Sequence, residues 1–254
     1  MARLYPAGLL EYARIEGAGL ARRVADTLER RSTTPRNPAP GEVRFGDLRR
    51  TSPMSDRFGW DRGLPIDRHY IEAFLARHAA DIRGDVLEVG GDDYARRFGR
   101  DGVQAHVLDC RNSPAATVVA DLNVPDALPA DAYDCVILTQ TLQLIYDLPV
   151  AVRNLHRALR PGGVLLVTVP GLSQTADRNW RDSWYWGLTT RSAHRLFGDV
   201  FGETQVDVES QGNVLAAVGF LHGLAAAELS ASELACHDGD YELLVTVRAR
   251  RAAP

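Results

Sequence analysis

Short apolar runs alternate with helical patterns along the chain from about residue 84 to residue 170. Continuous apolar runs are typical of parallel strands that are buried on both faces of a sheet. They predict strands at residues 86–89, 105–108, 117–120, 133–139 and 164–169. The clearest helix is predicted at residues 149–159, where a proline opens the pattern and Arg-Pro-Gly-Gly follows it. This alternation indicates an α/β fold with a doubly wound sheet.

The last part of the chain has a less regular pattern. Residues 204–209 and 241–248 alternate between polar and apolar side chains, which is typical of edge or antiparallel strands. Helices are predicted at residues 191–197 and, from an alanine-rich stretch, at 213–229. The sequence therefore predicts seven strands, with a helical excursion between the last two and an antiparallel last strand.

The N-terminal part of the chain precedes the predicted sheet. Residues 7–31 have apolar side chains at helical spacing, and a proline-rich linker follows. Residues 43–68 are rich in aromatic side chains and arginine; they form either a lid over a bound ligand or a segment packed on the sheet edge. A helix is predicted at 65–80. We therefore divide the chain into an extension with helix, linker and lid (1–80) and a cofactor-binding domain (81–254).

Composition excludes several classes of protein. All 29 basic residues are arginine, so neither a lysine Schiff base nor a lysine-containing P-loop is available. A formal net charge of -4 gives no general reason to expect nucleic acid as a partner. The apolar runs are far too short to span a membrane, and the N-terminus shows no cleavage-type signal. We expect a cytoplasmic protein.

Glycine or polar residues follow four of the predicted strands, at what would be one edge of the sheet. Asp109 ends the second strand, where a carboxylate can accept hydrogen bonds from both hydroxyls of a ribose. Asp121 ends the third, where a carboxylate can accept from an adenine amino group beside an apolar contact. The residues of this edge predict a site for a cofactor that contains an adenosine. They are Glu88, Gly90, Gly91, Asp109, Asp121, Leu122, Thr139 and Gln140.

The turn after the first strand decides between two kinds of cofactor. A dinucleotide fold has the pattern G-x-G-x-x-G, whose amides approach a pyrophosphate. Here Gly91 is followed by Asp92 and Asp93, and two carboxylates would repel a pyrophosphate but attract a cation. We therefore favour S-adenosylmethionine, which carries a sulfonium and an ammonium. A nicotinamide-dependent oxidoreductase is the alternative on the same fold.

The segment from about residue 84 to 170 resembles the class I S-adenosylmethionine-dependent methyltransferases of the broad type-11 group. The resemblance implies a Rossmann-like seven-stranded sheet with an antiparallel final hairpin. It also implies that Glu88 and Gly90 line the methionine end of the cofactor, Asp109 the ribose, and Asp121 with Leu122 the adenine. The turn departs from the glycine-richer family pattern at Asp92 and Asp93. The resemblance is carried by Val86-Leu-Glu-Val-Gly90, Leu108-Asp109, Ala120-Asp-Leu122, Tyr133-Asp-Cys-Val-Ile-Leu138 and Leu155-His-Arg-Ala-Leu-Arg-Pro-Gly-Gly-Val-Leu-Leu166.

Histidines are the natural candidates for a general base on a hydroxyl acceptor. His69 and His222 come first because each lies in a segment expected to border the carboxyl ends of the strands. His194 is the third candidate. Acidic residues near these strand ends do not form a recognisable metal cluster, so we expect metal-independent transfer.

An aromatic segment after the fifth strand is expected to face the acceptor. Trp180, Trp184 and Trp186 are candidates for stacking on a sugar or another planar group, and Arg178 for an anionic group. The alternatives are that the indoles close the core and that the arginine is solvated.

The sequence thus predicts a methyltransferase that acts on a small molecule, most simply on a hydroxyl of a sugar, nucleoside or glycosylated natural product. Nitrogen or carbon methylation is one alternative, and a non-catalytic binding protein on the same fold is another. We expect no nucleic-acid or membrane partner. The oligomeric state is left open, with a homodimer as one alternative.

Overall fold

The computed structural model describes residues 37–175 and 181–253. The helix predicted at 7–31 lies outside the described residues, and so do Arg178 and Trp180. The chain divides into two compact units after Arg49. Of the first unit the structure describes residues 37–49, which contain a 3-10 helix at Gly46–Leu48. The functional division predicted at residue 80 stays a prediction.

The second unit has α/β architecture. No helix in the described part of the chain is long and apolar enough to cross a membrane. The helices are α1 (Ile66–Arg77), α2 (Asp93–Phe98), α3 (Leu148–Ala158), α4 (Thr190–Phe201), α5 (Val214–Leu221) and α6 (Ala231–Ala235). The strands are β1 (Asp85–Val89), β2 (Gln104–Asp109), β3 (Val118–Val119), β4 (Tyr133–Thr139), β5 (Leu159–Pro170), β6 (Val206–Gln211) and β7 (Leu244–Arg250).

The seven strands form one sheet in the order β3-β2-β1-β4-β5-β7-β6. β1 pairs in parallel with both β2 and β4, and β7 pairs antiparallel with both β5 and β6. The predicted doubly wound sheet with an antiparallel last strand is therefore confirmed. The chain order reverses direction between β1 and β4, so the carboxyl ends of these strands border a crevice.

Successive residues of the central strands supply two separate cores. Leu87 and Val136 face the core formed with α3 and α4. Their neighbours Val86 and Cys135 face the core formed with α1 and α5. Because side chains of a strand alternate between faces, helices on both sides explain why neighbouring positions of these strands are both apolar.

The helix predicted at residues 213–229 is wrong as a single element, because α5 already ends at Leu221. Gly223 follows with φ +71°, a left-handed conformation that ends helices. A Cβ at this position would lie 2.2 Å from the Ser55 carbonyl oxygen. The chain therefore turns at a glycine against residues 54–55, and Ala226–Glu228 and α6 follow as separate short elements.

The Arg-Pro-Gly-Gly motif starts β5 instead of forming a loop. Leu159 pairs with Tyr133 and Val164 with Cys135, so extra residues bulge out of the ladder between them. The bulge brings the Arg160 guanidinium to 2.5 Å from Asp134 and 2.9 Å from Asp85, and it ties the amino ends of β1 and β4 together. His106 and Arg160 bind the Asp85 carboxylate and lower its pKa.

Replacing Arg160 is predicted to destabilise the sheet at this edge. We expect Arg160→Gln to lower the free energy of unfolding by about 1 kcal/mol at neutral pH, because the ion pairs are partly exposed. The loss should shrink in about 1 M salt, where exposed charges are screened. Urea unfolding measures both values, and Arg195→Gln, which breaks an exposed pair with Asp199, is the control. An equal, salt-independent loss in both variants would contradict this role.

Candidate active site

A cleft of about 620 Å³ opens at the carboxyl edge of the sheet. It runs past the ends of β3, β2, β1 and β4 and is covered from the side of α1 and α5. Strands lie about 4.8 Å apart, so the three intervals from β3 to β4 span roughly 14 Å. This shape suits an elongated ligand. The residues that line it include Phe58, Trp60, Asp67, Arg68, Gly90, Asp109, Asp121, Leu122, Thr139, Gln140, Gln143 and Trp184.

The turn after β1 brings backbone to the floor of the cleft. The Gly90 amide donates to the Leu108 carbonyl oxygen at 2.9 Å, which fixes the turn beside the end of β2. Gly90 has φ +80°, and no atom lies within 4 Å of the place where a Cβ would be. Glycine is therefore required by the backbone, and the open space next to it lets a ligand approach the main chain closely.

Two carboxylates lie at the β2 and β3 end of the cleft. Asp109 Oδ1 accepts from the Arg111 amide at 2.8 Å, and this hydrogen bond is the main cause of a lowered pKa of the Asp109 carboxyl. Asp109 is thus ionised at neutral pH and can only accept hydrogen bonds. Asp121 Oδ1 accepts from the Asn123 amide at 2.9 Å, which fixes the loop after β3. Buried Leu122 provides the apolar contact next to it.

The end of β4 carries a strained residue. Gln140 has φ +47°, a left-handed conformation that is uncommon outside glycine. Its amide donates to the Thr168 carbonyl oxygen at 2.9 Å, so β5 imposes this turn. The turn places the side chains of Gln140 and Gln143 along the cleft.

The start of α1 closes the cleft opposite the strand ends. Asp67 is only 7% exposed, and burial raises the pKa of its carboxyl. Arg68 Nη1 donates to the Tyr94 hydroxyl at 3.1 Å, and its guanidinium lies 5.8 Å from the Trp60 ring centroid. Phe58 packs on Phe220 of α5, with the ring centroids 6.1 Å apart. Residues 58–60 thus line the cleft and also pack on the sheet's helical layer.

Sequence reasoning missed Asp67 and Gln143 as site residues. An aspartate in the first turn of a helix is ordinarily explained by the helix dipole, so nothing in the sequence separates Asp67 from that role. Gln143 did leave a signal. It is a polar residue within the apolar run Leu142–Ile145, directly after a strand end.

Glu88 and Gly91, both predicted to bind the cofactor, are not among the described lining residues. The Glu88 carboxylate instead accepts from the amides of Tyr94 at 3.2 Å and Ala95 at 2.7 Å, at the start of α2. The pKa of Glu88 is raised to about 7, mainly by burial; these hydrogen bonds oppose the rise, and the charges of Asp93 and Asp92 add to it.

Asp92 and Asp93 are not among the described residues that line the cleft, although their charges were expected to attract a cationic cofactor. Asp92 Oδ2 accepts from Arg96 Nε at 2.6 Å, within one turn of α2. Asp93 is the first residue of the same helix. Acidic residues are favourable at this position because of the partial positive charge of a helix N-terminus. Their effect on a bound cofactor is therefore indirect.

The structure does not bring the predicted histidines to the cleft. His69 is half-buried on α1 with its ring edge-on to Tyr70. His222 follows α5, its Nδ1 is buried without a partner, and its carbonyl oxygen accepts from the amides of Met54 and Ser55. His194 is exposed on α4. Within the described residues no group of three or more His, Cys, Asp or Glu side chains is arranged to hold a metal ion.

The aromatic segment after β5 lies at the rim of the cleft. Trp184 lines the cleft, and Trp186 Nε1 donates to the Ile145 carbonyl oxygen at 3.0 Å. Tyr146 and Tyr185 complete an exposed cluster with Trp186, with ring centroids 5.3 Å (Tyr146–Tyr185) and 6.0 Å (Tyr146–Trp186) apart. We call Tyr146, Tyr185 and Trp186 the rim cluster.

The sequence matches one family model, described as a methyltransferase domain, over residues 19–204. The match covers most of the chain and includes the strands whose ends form the cleft. The chain belongs to the methyltransferase domain family. S-adenosylmethionine, the cofactor predicted from the sequence, is the cofactor of this class of methyltransferase.

A solved structure shows the same fold at low sequence identity. A putative sarcosine dimethylglycine methyltransferase from Galdieria sulphuraria is 15% identical, with a TM-score of 0.50, over 78% of this chain and 94% of that one. A SAM-dependent methyltransferase from Archaeoglobus fulgidus is 12% identical, with a TM-score of 0.49, over 72% and 94%. No curated protein matches the chain.

The raised pKa of Glu88 predicts a specific pH dependence of this methyltransferase's stability. Between pH 4.5, the ordinary pKa, and about pH 7 the folded protein binds a proton that the unfolded chain has released. The free energy of unfolding, relative to Glu88→Gln, should therefore fall as the pH rises through this window and stay constant above it.

Urea unfolding of the wild type and the variant at a series of pH values measures this difference. The exposed Glu203, changed to Gln in the same way, is the control. A difference between the wild type and Glu88→Gln that stays constant from acidic to neutral pH would show that burial of Glu88 carries no titration penalty.

Proposed function

We propose that this methyltransferase transfers a methyl group to a hydroxyl of a small ring-bearing molecule, such as a sugar, nucleoside or glycosylated natural product. One observation carries the proposal. A single cleft has carboxylates suited to an adenosine at the ends of β2 and β3, and an exposed aromatic cluster lies at its rim. An enclosed cleft of this size favours a small acceptor over a macromolecule.

The cleft residues suit the parts of the cofactor in the order in which their strands lie in the sheet, β3-β2-β1-β4. Asp121 and Leu122 would hold the adenine, Asp109 the ribose hydroxyls, and Gly90, Thr139 and Gln140 the methionine part. Bound S-adenosylmethionine supplies a methyl group that its sulfonium has already activated. The protein's remaining tasks are to position the acceptor, exclude water and remove a proton.

The rim cluster and Trp184 would hold the ring of the acceptor. Aromatic faces bind sugar and other planar rings by stacking, and these side chains lie on a segment anchored to the cleft wall. The Tyr185 and Trp186 amides both donate to the Gln143 carbonyl oxygen, at 2.8 and 3.3 Å. This anchoring joins the platform directly to a residue that lines the cleft.

The first test is binding and transfer by the unmodified protein. We expect S-adenosylhomocysteine to bind in calorimetry and NAD not to bind. Incubation with methyl-labelled S-adenosylmethionine and a panel of sugars, nucleosides and phenols, with amines as comparators, should label hydroxyl compounds. Labelling of amines alone would indicate N-methylation. Binding without any transfer would favour the non-catalytic alternative, and absence of binding would contradict both.

Asp109 provides a test of the cofactor assignment. We expect Asp109→Asn to weaken S-adenosylhomocysteine binding by roughly tenfold or more, because an amide cannot accept from both ribose hydroxyls. Asp93→Asn removes a nearby acid that does not line the cleft and should bind normally. Calorimetry measures both, and equal affinities of the two variants would contradict the ribose assignment.

Tyr146 provides a test of the acceptor site. We expect Tyr146→Ala to raise KM for the ring-bearing acceptor found in the panel by roughly five- to tenfold, through lost stacking. Its affinity for S-adenosylhomocysteine should not change. Tyr241, an exposed tyrosine away from the rim cluster, is the control. An unchanged KM in Tyr146→Ala would show that the acceptor does not reach the rim cluster.

The location, partners and metal requirement of the protein are proposed as they were predicted from the sequence. A cytoplasmic location, the absence of a nucleic-acid partner and metal-independent transfer are parts of the proposal. A homodimer is an alternative to a monomer. A histidine base also stays a prediction, although no histidine is among the described residues that line the cleft.

A further inference from the structure

Asp67 is a buried carboxylate in the wall of the cleft, at the start of α1. Its Oδ1 accepts from the Arg68 amide at 2.8 Å, and its Oδ2 accepts from Gln140 Nε2 at 3.3 Å. Each carboxylate oxygen has two lone pairs, so both oxygens keep capacity for another donor. Buried carboxylates are expected to be paired, and here the cleft is the side from which a donor can come.

The Asp67 carboxylate also sets the direction of a chain of amides. Because an ionised carboxylate only accepts, Gln140 turns its Nε2 toward Asp67 and its Oε1 toward Gln143 Nε2, at 3.5 Å. This leaves Gln143 Oε1, which is buried without a hydrogen-bond partner on a residue that lines the cleft. An orphaned acceptor in a cleft wall indicates that a bound molecule donates to it.

The backbone at the centre of this chain is held in a strained conformation. The left-handed φ of Gln140 is unfavourable for a residue other than glycine and persists only where the surroundings impose it. The strain brings the Gln140 side chain between α1 and the end of β4. Gln140 thus connects Asp67 to the end of β4, where the proposed function assigns Thr139 and Gln140 to the methionine part of the cofactor.

We propose that Asp67, oriented by Gln140, is the general base that takes the proton of the acceptor hydroxyl. This inference rests on the proposed function and deepens it. The acceptor oxygen forms a bond to the methyl carbon, the carbon–sulfur bond breaks with its electron pair moving to sulfur, and the proton goes to the Asp67 carboxylate. Gln143 Oε1 accepts from a second donor of the acceptor, so the substrate class is a polyol or sugar.

The environment of Asp67 makes its carboxylate a stronger base than that of an exposed aspartate. Burial raises the pKa of this carboxyl, which makes it a stronger base, while the positive charge of Arg68 partly opposes the shift. The Arg68 guanidinium is directed to the Tyr94 hydroxyl, whose own pKa is raised by burial. The carboxylate is thus close to a cation without being bound to its guanidinium.

Two cofactor analogues test the assignment without any acceptor. S-adenosylhomocysteine has neither methyl group nor sulfonium charge, whereas sinefungin carries an amine on a carbon in place of the methylated sulfur. A base next to the reacting methyl would bind that ammonium directly. We expect Asp67→Asn to lose roughly tenfold or more of its affinity for sinefungin and to keep its affinity for S-adenosylhomocysteine within about twofold.

Calorimetry over a range of pH completes the experiment. The wild-type preference for sinefungin should decline as the pH falls and Asp67 takes up a proton, and Asp67→Asn should show no such decline. The matched control is Glu72→Gln, which removes another acid of α1, paired with Arg97 at 2.7 Å; it should behave as the wild type.

Two results would overturn the proposal. An equal loss of affinity for both analogues would show that Asp67 holds the ammonium of the methionine part, which both analogues share. Normal binding of both by Asp67→Asn would show that the carboxylate serves only the start of α1. A wild-type protein that binds neither analogue would instead contradict the proposed function, so the two failures are distinguishable.

Discussion

The parallel pairing of β1 with β2 and β4 is the constraint on which the rest of the structure depends. It requires helices on both faces, and these supply the two apolar cores. It also brings the ends of successive strands to one edge, where Gly90, Asp109 and Gln140 come together although they are far apart in sequence. The cleft is thus a consequence of strand direction and not of any local motif.

This dependence explains which parts could be predicted from the sequence. Apolar runs identify the buried strands, and the residue after each run is placed at the shared edge by topology alone. Asp109, Asp121 and Gln140 were placed at this edge in this way, and all three line the cleft. The ends of the helices were predicted less accurately. The end of α5, for example, depends on a contact between Gly223 and the Ser55 carbonyl, which the local hydrophobic periodicity cannot show.

Residues that line the cleft from α1, opposite the strand ends, could not be predicted in this way. Asp67 reaches the cleft because α1 packs against the face of the sheet opposite α3 and α4, and its distance from Gln140 is set by that packing. The histidines were chosen for their chemistry, but helix α1 turns its Asp67 and Arg68 side chains toward the cleft and not that of His69. Side chains of neighbouring helix residues point about 100° apart, so a difference of one position along α1 decides whether a side chain lines the cleft.

Glu88 and Asp67 show why a shifted pKa alone does not identify a catalytic group. Burial raises the pKa of both carboxyls, although Glu88 lies on β1 and Asp67 on α1. The two oxygens of Glu88 accept from consecutive amides at the start of α2, and Glu88 is not among the described residues that line the cleft. Asp67 lines the cleft, and its two neutral donors leave it able to accept a proton. The two carboxylates therefore differ in the donors that their remaining lone pairs can reach. Because the cofactor already carries an activated methyl group, the protein's task is to place such an acceptor next to the substrate.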